Sequence, residues 1–257
     1  MRRRDSGGEI CGIRWYTQQI SARGKDKRWT QALQLLTEMQ AQELEPNTFT
    51  YNAAISACAK GRHWQGALEL LVEMRRTGIA PNTITYSAAI SACEKGRRWE
   101  GALGLLAEMT RTGIMPNTIT YNAAISACEK GLQWEGALGL LAEMMRTNIT
   151  ADTITYTAAI SACRKGPQWE GALGLLAEMR TQELEPNIIT YEAAIRACEN
   201  GWQWEAVLGL FAELRRTGIK ENTFTYNAVI NAEEKMGLSG LSYSMSVAPR
   251  LFDWLRS

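Results

Sequence analysis

The sequence predicts an all-α protein, a right-handed α-solenoid of tandem helix–turn–helix repeats. Three observations carry that prediction. Trp29, Trp64, Trp99, Trp134, Trp169 and Trp204 recur every 35 residues, and the cysteines from Cys58 to Cys198 and the tyrosines from Tyr16 to Tyr226 keep the same step. No insertion interrupts the register from Ile13 to Lys235, and a fixed period of this size marks a repeat architecture. Each period also holds two stretches of helical apolar spacing. The alternating Thr-Ile-Thr-Tyr segment is too short for a strand and runs directly into an alanine-rich helix.

The elements follow from one unit, Thr48 to Asn82. Tyr51, Ile55 and Cys58 stand at i, i+4 and i+7 and form one apolar stripe, with Ala53 and Ala54 permitting close approach of a neighbouring helix. Trp64, Ala67, Leu68, Leu71 and Met74 make a second helical face. Asn47 and Thr48 offer side-chain oxygens to the first helix's orphan N–H groups. Gly78 and Ile79 read as a left-handed C-cap, and Pro81 prevents continuation. A lone pair of helices cannot bury both faces, so stacking must supply the core.

The expected boundaries are residues 1–12 as an N-terminal extension, 13–47 as a degenerate repeat, 48–222 as five regular repeats, and 223–257 as a partial repeat with a cap. In the degenerate repeat Arg23 replaces the cysteine; in the partial repeat Glu233 does. Leu251 to Leu255 is expected to form a short helix over the last exposed face. Met1-Arg2-Arg3-Arg4 is compatible with an organellar transit segment or with the ragged end of a longer chain.

Composition narrows the function classes. The chain has 257 residues, 28 Lys and Arg against 27 Asp and Glu, and 46% hydrophobic residues, which is globular. A net charge of +1 gives no global basic excess, so affinity for a polyanion must come from placement. No apolar run approaches the ~20 residues of a membrane span. The single histidine, His63, and the absence of a C-x-x-C pair leave no expected metal site, cofactor or catalytic triad. The five in-register cysteines are read as small buried thiols, because equivalent residues of stacked helices lie beyond disulfide reach. The tryptophans are read as packing groups. The glutamates near the end of the second helices, such as Glu73, Glu108 and Glu178, are expected to be solvated or locally paired.

A further stripe flanks each buried one: Asn52/Ser56/Lys60, Ser87/Ser91/Lys95, Asn122/Ser126/Lys130 and Thr157/Ser161/Lys165. One turn ahead stands Phe49, Ile84, Ile119 or Ile154. The lysine row includes Lys25, Lys60, Lys95, Lys130, Lys165 and Lys235, with Asn200 as its break. Such a row can track a polyanionic backbone while apolar wedges and varied polar groups meet bases. A merely solvated face is the alternative reading of the same residues.

At these residues the sequence resembles the pentatricopeptide repeat family. Pro-Asn-Thr-Ile-Thr-Tyr-Asn-Ala-Ala-Ile, the lysine at the helix end, Ala-Leu…Leu…Glu-Met and Gly-Ile-x-Pro-Asn match its 35-residue motif. The resemblance implies single-stranded RNA as the partner, read one base per repeat, in mitochondria or chloroplasts. The implied roles are RNA processing, stability, splicing, editing or translation, with other RNA-processing proteins as a second partner class. A cytoplasmic location follows instead if the basic N-terminus is no transit peptide.

Carried over by position, the resemblance makes Phe49, Ile84, Ile119, Ile154, Ile189 and Phe224 the residues that sandwich bases. The first repeat departs with Arg14. The base-reading pairs become Thr17/Asn47, Asn52/Asn82, Ser87/Asn117, Asn122/Asp152, Thr157/Asn187 and Glu192/Asn222, with Asn227 left without a partner. The implied preference is 5′-A-(C/U)-A-U-A followed by one unread base. The lysine row is then the phosphate contact. No catalysis is expected. The runner-up is a scaffold that binds a peptide or protein on its concave face, as tetratricopeptide solenoids do.

Overall fold

The computed structural model describes residues 6–164 and 168–237, with side chains described from Cys11 onward. Lys165 and the expected terminal helix at Leu251 to Leu255 lie outside the described residues. The chain divides into two compact units, one up to Gly131 and one from Leu132. Among the described residues there are thirteen α-helices and no strand.

In the first unit, α1 (Ser6–Lys25), α3 (Thr48–Lys60), α5 (Thr83–Lys95) and α7 (Thr118–Gly131) are the first helices of successive repeats. Their hairpin partners are α2 (Trp29–Ala41), α4 (Trp64–Arg76) and α6 (Trp99–Arg111). The first helices stack on one another in order, α1 on α3, α3 on α5 and α5 on α7. The second unit holds α8 (Trp134–Arg146), α9 (Thr153–Ala162), α10 (Trp169–Thr181), α11 (Ile188–Asn200), α12 (Trp204–Arg216) and α13 (Thr223–Lys235). Here α9 packs on α11 and α11 on α13, while α10 and α12 cover them. No described helix is long and apolar enough to cross a membrane.

The helix ends obey local chemistry. Asn47, Asn82, Asp152, Asn187 and Asn222 have extended backbones and accept from the N–H groups of the first turn. At the second-helix C-termini Gly78, Gly113 and Gly218 adopt φ of 77°, 77° and 73°, a conformation that spares glycine the Cβ penalty. Ile79 N–H then closes back on Met74 C=O at 3.0 Å, the bond that ends such a helix.

The core is the predicted one. Tyr51, Ile55, Cys58 and Met74 are fully buried, and so are their equivalents in the following repeats up to Leu214, whereas Tyr226 of the partial repeat is exposed. The five repeat cysteines are free, buried thiols, whereas Cys11 is exposed. Burial pushes Cys93, Cys128 and Cys163 up to about 11 and Cys198 up to about 12, since an apolar surround disfavours the thiolate.

The tryptophans pack in a way the periodicity does not reveal. Trp29, Trp64, Trp99 and Trp169 lie against Gly61, Gly96, Gly131 and Gly201, each at the end of the next repeat's first helix. A Cβ on those glycines would fall 2.2–2.6 Å from the indole Cδ1. Each tryptophan therefore requires glycine at one point of its neighbour. His63 stacks on Trp29 with 4.0 Å between ring centroids, and the Arg98 guanidinium lies 4.8 Å from the Trp64 ring centroid.

The glutamate column corrects the expectation of solvated or locally paired side chains at Glu73 and Glu108, whereas Glu178 meets it, accepting from Tyr156 of its own repeat at 3.1 Å. Glu73 accepts from Tyr51 of its own repeat (3.0 Å) and from Gln40 of the preceding one (2.7 Å). Glu108 pairs with Arg75 of the preceding repeat, and Glu213, nearly fully buried, pairs with Arg180. At Glu73, Glu108 and Glu213 the column joins one repeat to the next. Burial explains it: the tyrosine hydroxyl at the edge of the core needs a partner.

Candidate nucleic-acid interface

The residues flanking the buried stripe form a recurring polar arrangement. Its centre is a threonine at the third position of each first helix from α3 onward: Thr50, Thr85, Thr120, Thr155, Thr190 and Thr225, all fully buried. In α3, α5, α7 and α11 the hydroxyl reaches the fifth residue of the preceding repeat. Thr17 meets Thr50 at 2.8 Å, Ser87 meets Thr120 at 2.7 Å, and Thr157 meets Thr190 at 2.8 Å. Thr85 donates to Asn52 Oδ1 at 2.6 Å.

The same threonine also bonds the capping residue. The hydroxyls of Thr120 and Thr190 donate to the Oδ1 atoms of Asn117 and Asn187 (2.9 and 3.2 Å). In the Ser87–Thr120 and Thr157–Thr190 pairs either hydroxyl can be the donor, each having one proton. The remaining lone pairs of Ser87 and Thr157 stay available as acceptors.

Capping fixes the amides as well. Asn187 Oδ1 accepts from Ile189 N–H (2.9 Å) and Thr190 N–H (3.1 Å). Only an oxygen can accept there, which turns Nδ2, a donor, away from the helix on an exposed residue. Asn47, Asn82 and Asn117 are oriented by the same bonds. Asp152 uses Oδ1 for the cap at 2.9 Å from Thr155 N–H, so the atom equivalent to Nδ2 is Oδ2, an acceptor.

Beside each cap an aliphatic or aromatic side chain stands out of the surface. Phe49, Ile84, Ile119, Ile154 and Ile189 are 60–73% exposed, far beyond what such residues ordinarily show. Phe224 differs, being half-buried beneath the Arg196 guanidinium, 4.4 Å from the ring centroid.

The structure brings together Thr17 with Asn47, Asn52 with Asn82, Ser87 with Asn117, and Thr157 with Asn187. Asn122 lies on the first unit and Asp152 on the second. The Glu192/Asn222 pair is joined differently, because the Asn222 amide donates to the Glu192 carboxylate and Thr225 turns to the Asn222 carbonyl. Asn227 is exposed.

The lysine row is less uniform. Lys25, Lys60 and Lys235 are exposed and Lys95 is half-buried, and none of these four forms an ion pair among the described residues. Lys130 is paired with Glu94 of the preceding repeat. At the break in the row, Asn200 donates to the Arg164 carbonyl.

The sequence itself places the chain among known families. Profiles described as "PPR repeat family" match residues 15–60, 46–95 and 116–165. "Pentatricopeptide repeat domain" matches 174–236, and "PPR repeat" matches 84–114 and 154–184. The chain belongs to the pentatricopeptide repeat family.

Solved pentatricopeptide repeat structures share the fold. The protein PPR10 from maize is 28% identical with a TM-score of 0.70, over 93% of this chain and 34% of that one. PPR10 in complex with an 18-nt psaJ RNA element aligns at 21% identity and a TM-score of 0.77, with the same coverage. The PPR domain of the protein-only RNase P 1 of Arabidopsis thaliana, in complex with tRNA, is 14% identical with a TM-score of 0.54, covering 87% of this chain and 99% of that one. The present chain spans about a third of the length of the maize protein. No curated protein matches it.

Within the pentatricopeptide repeats of this chain, the bridging threonines are the residues that sequence reasoning missed. Their signal was present, as a 35-residue column of identical Thr beside a column that varies. It was absorbed into a β-branched tetrapeptide. The Glu94 carboxylate beside the lysine row was missed for a simpler reason: the row was read without its neighbours.

Proposed function

We propose that this protein binds single-stranded RNA, one base per repeat, and is not itself catalytic. The observation that carries the reading is the recurrence, at one place in five successive repeats, of an exposed apolar side chain beside an oriented cap. A base inserted between successive apolar side chains gains stacking and burial. Its Watson–Crick edge then meets Nδ2 of an asparagine or Oδ2 of Asp152. A donor suits the ring nitrogen of adenine or cytosine; an acceptor suits the N–H of uracil or guanine. Compact Ser87 and Thr157 leave room for a purine, and the longer Asn52 and Asn122 suit a pyrimidine.

Read in that way, the array prefers 5′-A-(C/U)-A-U-A, with the base at Glu192/Asn222 unread because the amide is already engaged. The phosphates face the lysine row. On the family resemblance we propose that it acts in mitochondria or chloroplasts, in RNA processing, stability, splicing, editing or translation.

The test is a swap of one cap. Asn187→Asp keeps the capping oxygen and replaces the outward donor with an acceptor. Wild type should prefer 5′-AUAUA over 5′-AUAUG, and the variant should reverse the order by about tenfold each way, since a matched against an unpaired group is worth about 1–3 kcal/mol. Equal binding of both strands by both proteins would show that Thr157 and Asn187 face no base. A peptide ligand that displaces RNA from the wild-type protein would move the assignment to a protein scaffold.

A further inference from the structure

The glutamate column has two kinds of junction. In one, an arginine of the preceding repeat completes a Tyr–Glu–Arg triad. The Arg75 guanidinium lies 2.9 Å from the Tyr86 hydroxyl and 2.5 Å from the Glu108 carboxylate. Arg180 likewise pairs with Glu213, which also accepts from Tyr191 at 3.1 Å. In the other kind the arginine is replaced. Position 145, two periods after Arg75 and one before Arg180, is methionine.

At that junction, within the second unit, the tyrosine and glutamate remain. Tyr156 donates to Glu178 at 3.1 Å, the one side-chain hydrogen bond this carboxylate makes among the described residues. Burial, and then the charge of Glu178, push the Tyr156 phenol up to about 12, so it keeps its proton and continues to donate. A cavity of about 310 Å3 opens on Tyr156, lined also by Met145, Ile149, Ala151 and Gln182. The nearby arginines point elsewhere: Arg146 is exposed, 4.0 Å from Glu143 on its own helix, and Arg180 reaches the next junction.

We infer that the cavity beside Tyr156 is a binding site for a guanidinium group, which would take the place that Arg75 and Arg180 fill in their own junctions. The chain itself supplies the precedent for what sits against a Tyr–Glu pair here. The planar fork of a guanidinium can bond carboxylate and phenol oxygen together, which a compact ammonium does less well. The Met145 and Ile149 side chains suit the methylene stem that carries such a group. The site is separate from the cap row and does not depend on RNA binding.

The probe is the peptide Ac-Gly-Arg-Gly-NH2, added to the full chain with the Ile149 methyl resonance as reporter. A saturable shift is expected, weaker with the lysine peptide and lost with the citrulline peptide, which is neutral. Methylguanidinium in a parallel titration distinguishes a free small cation from a peptide-borne arginine, and saturation by either one supports the site. Glu178→Gln should weaken the apparent affinity by about tenfold, because it removes the charge that the guanidinium pairs with. Met145→Arg should raise the melting temperature and abolish the peptide-induced shift, its own guanidinium filling the place. The inference is overturned if no cation gives saturation, if citrulline serves as well as arginine, or if Glu178→Gln binds like wild type.

Discussion

Thr190 shows how much one side chain governs. Its hydroxyl donates to Asn187 Oδ1, meets Thr157 at 2.8 Å and accepts from Asn187 N–H at 3.3 Å. Thr190→Val keeps the shape and removes all three bonds, taking a partner from the half-buried Thr157 hydroxyl and from Asn187. The expected cost is about 1–3 kcal/mol, measurable by urea unfolding. Discrimination at the base assigned to Thr157/Asn187 should fall as well, since the cap loses one of the bonds that orient it. Thiol chemistry offers a second check at the same scale. Iodoacetamide at pH 8 should label Cys11 and leave the five repeat cysteines unmodified, because burial holds their protons well above that pH. The linked stability has a definite sign. A thiol raised from its ordinary 9.0 to about 11 in the folded protein supports the fold below pH 9, and that support declines as pH rises through 11. Alkaline scans should show destabilisation beginning in this window, in the presence or absence of reductant.

Among the elements, the junction between a second helix and the following first helix is the tightest point. Gly96 faces the Trp64 indole at a distance no real Cβ can share. Gly96→Ala is expected to destabilise by about 1–3 kcal/mol through overpacking, whereas Gly104→Ala, which meets open space, should stabilise by about 0.5–1 kcal/mol through helix propensity. Opposite signs from the same substitution eight residues apart make the comparison sharp in thermal melts. This contrast also marks what a sequence can tell. Helix limits, caps and the buried stripe of Tyr51, Ile55 and Cys58 were legible because periodicity and local hydrogen bonding determine them. Gly96 was not, because its reason lies on the preceding repeat, and spacing within one period does not report which side of a neighbour is touched. The glutamates failed in the same way: Glu108 reads as a surface residue until Arg75 arrives from the previous hairpin.

For the whole molecule, charge placement matters more than charge sum. Binding of a short RNA strand should weaken with salt at a log–log slope of roughly −3 to −4, from five or six lysine–phosphate contacts at about −0.7 each. Replacing Lys25, Lys60, Lys95 and Lys235 with Ala should flatten the slope and weaken all sequences alike. Lys130 is a special case, since it must leave Glu94 to reach a phosphate. Glu94→Gln should therefore tighten binding by about twofold to fivefold without changing base preference, a modest gain because a half-exposed pair is worth little. An unchanged slope in the lysine variants would remove the row from the interface. The row was legible in the sequence; its pairing was not, since Glu94 and Lys130 stand on adjacent repeats.

The bridging threonines carry a consequence for how such a chain can change length. The fifth residue of a repeat varies among Thr17, Asn52, Ser87 and Thr157, yet the partner it meets on the next repeat is always the same residue type, at Thr50, Thr85, Thr120 and Thr190. Each of these four joints therefore offers the same threonine to whichever upstream neighbour it meets. Duplicating or deleting one 35-residue period among these repeats would leave each threonine facing a residue type it already meets elsewhere in the chain. Glu192 breaks this interchangeability, because its carboxylate takes the Asn222 amide instead. Upstream of Glu192 the threonine contacts thus set little limit on copy number, while the last described junction is tied to its own pair of residues.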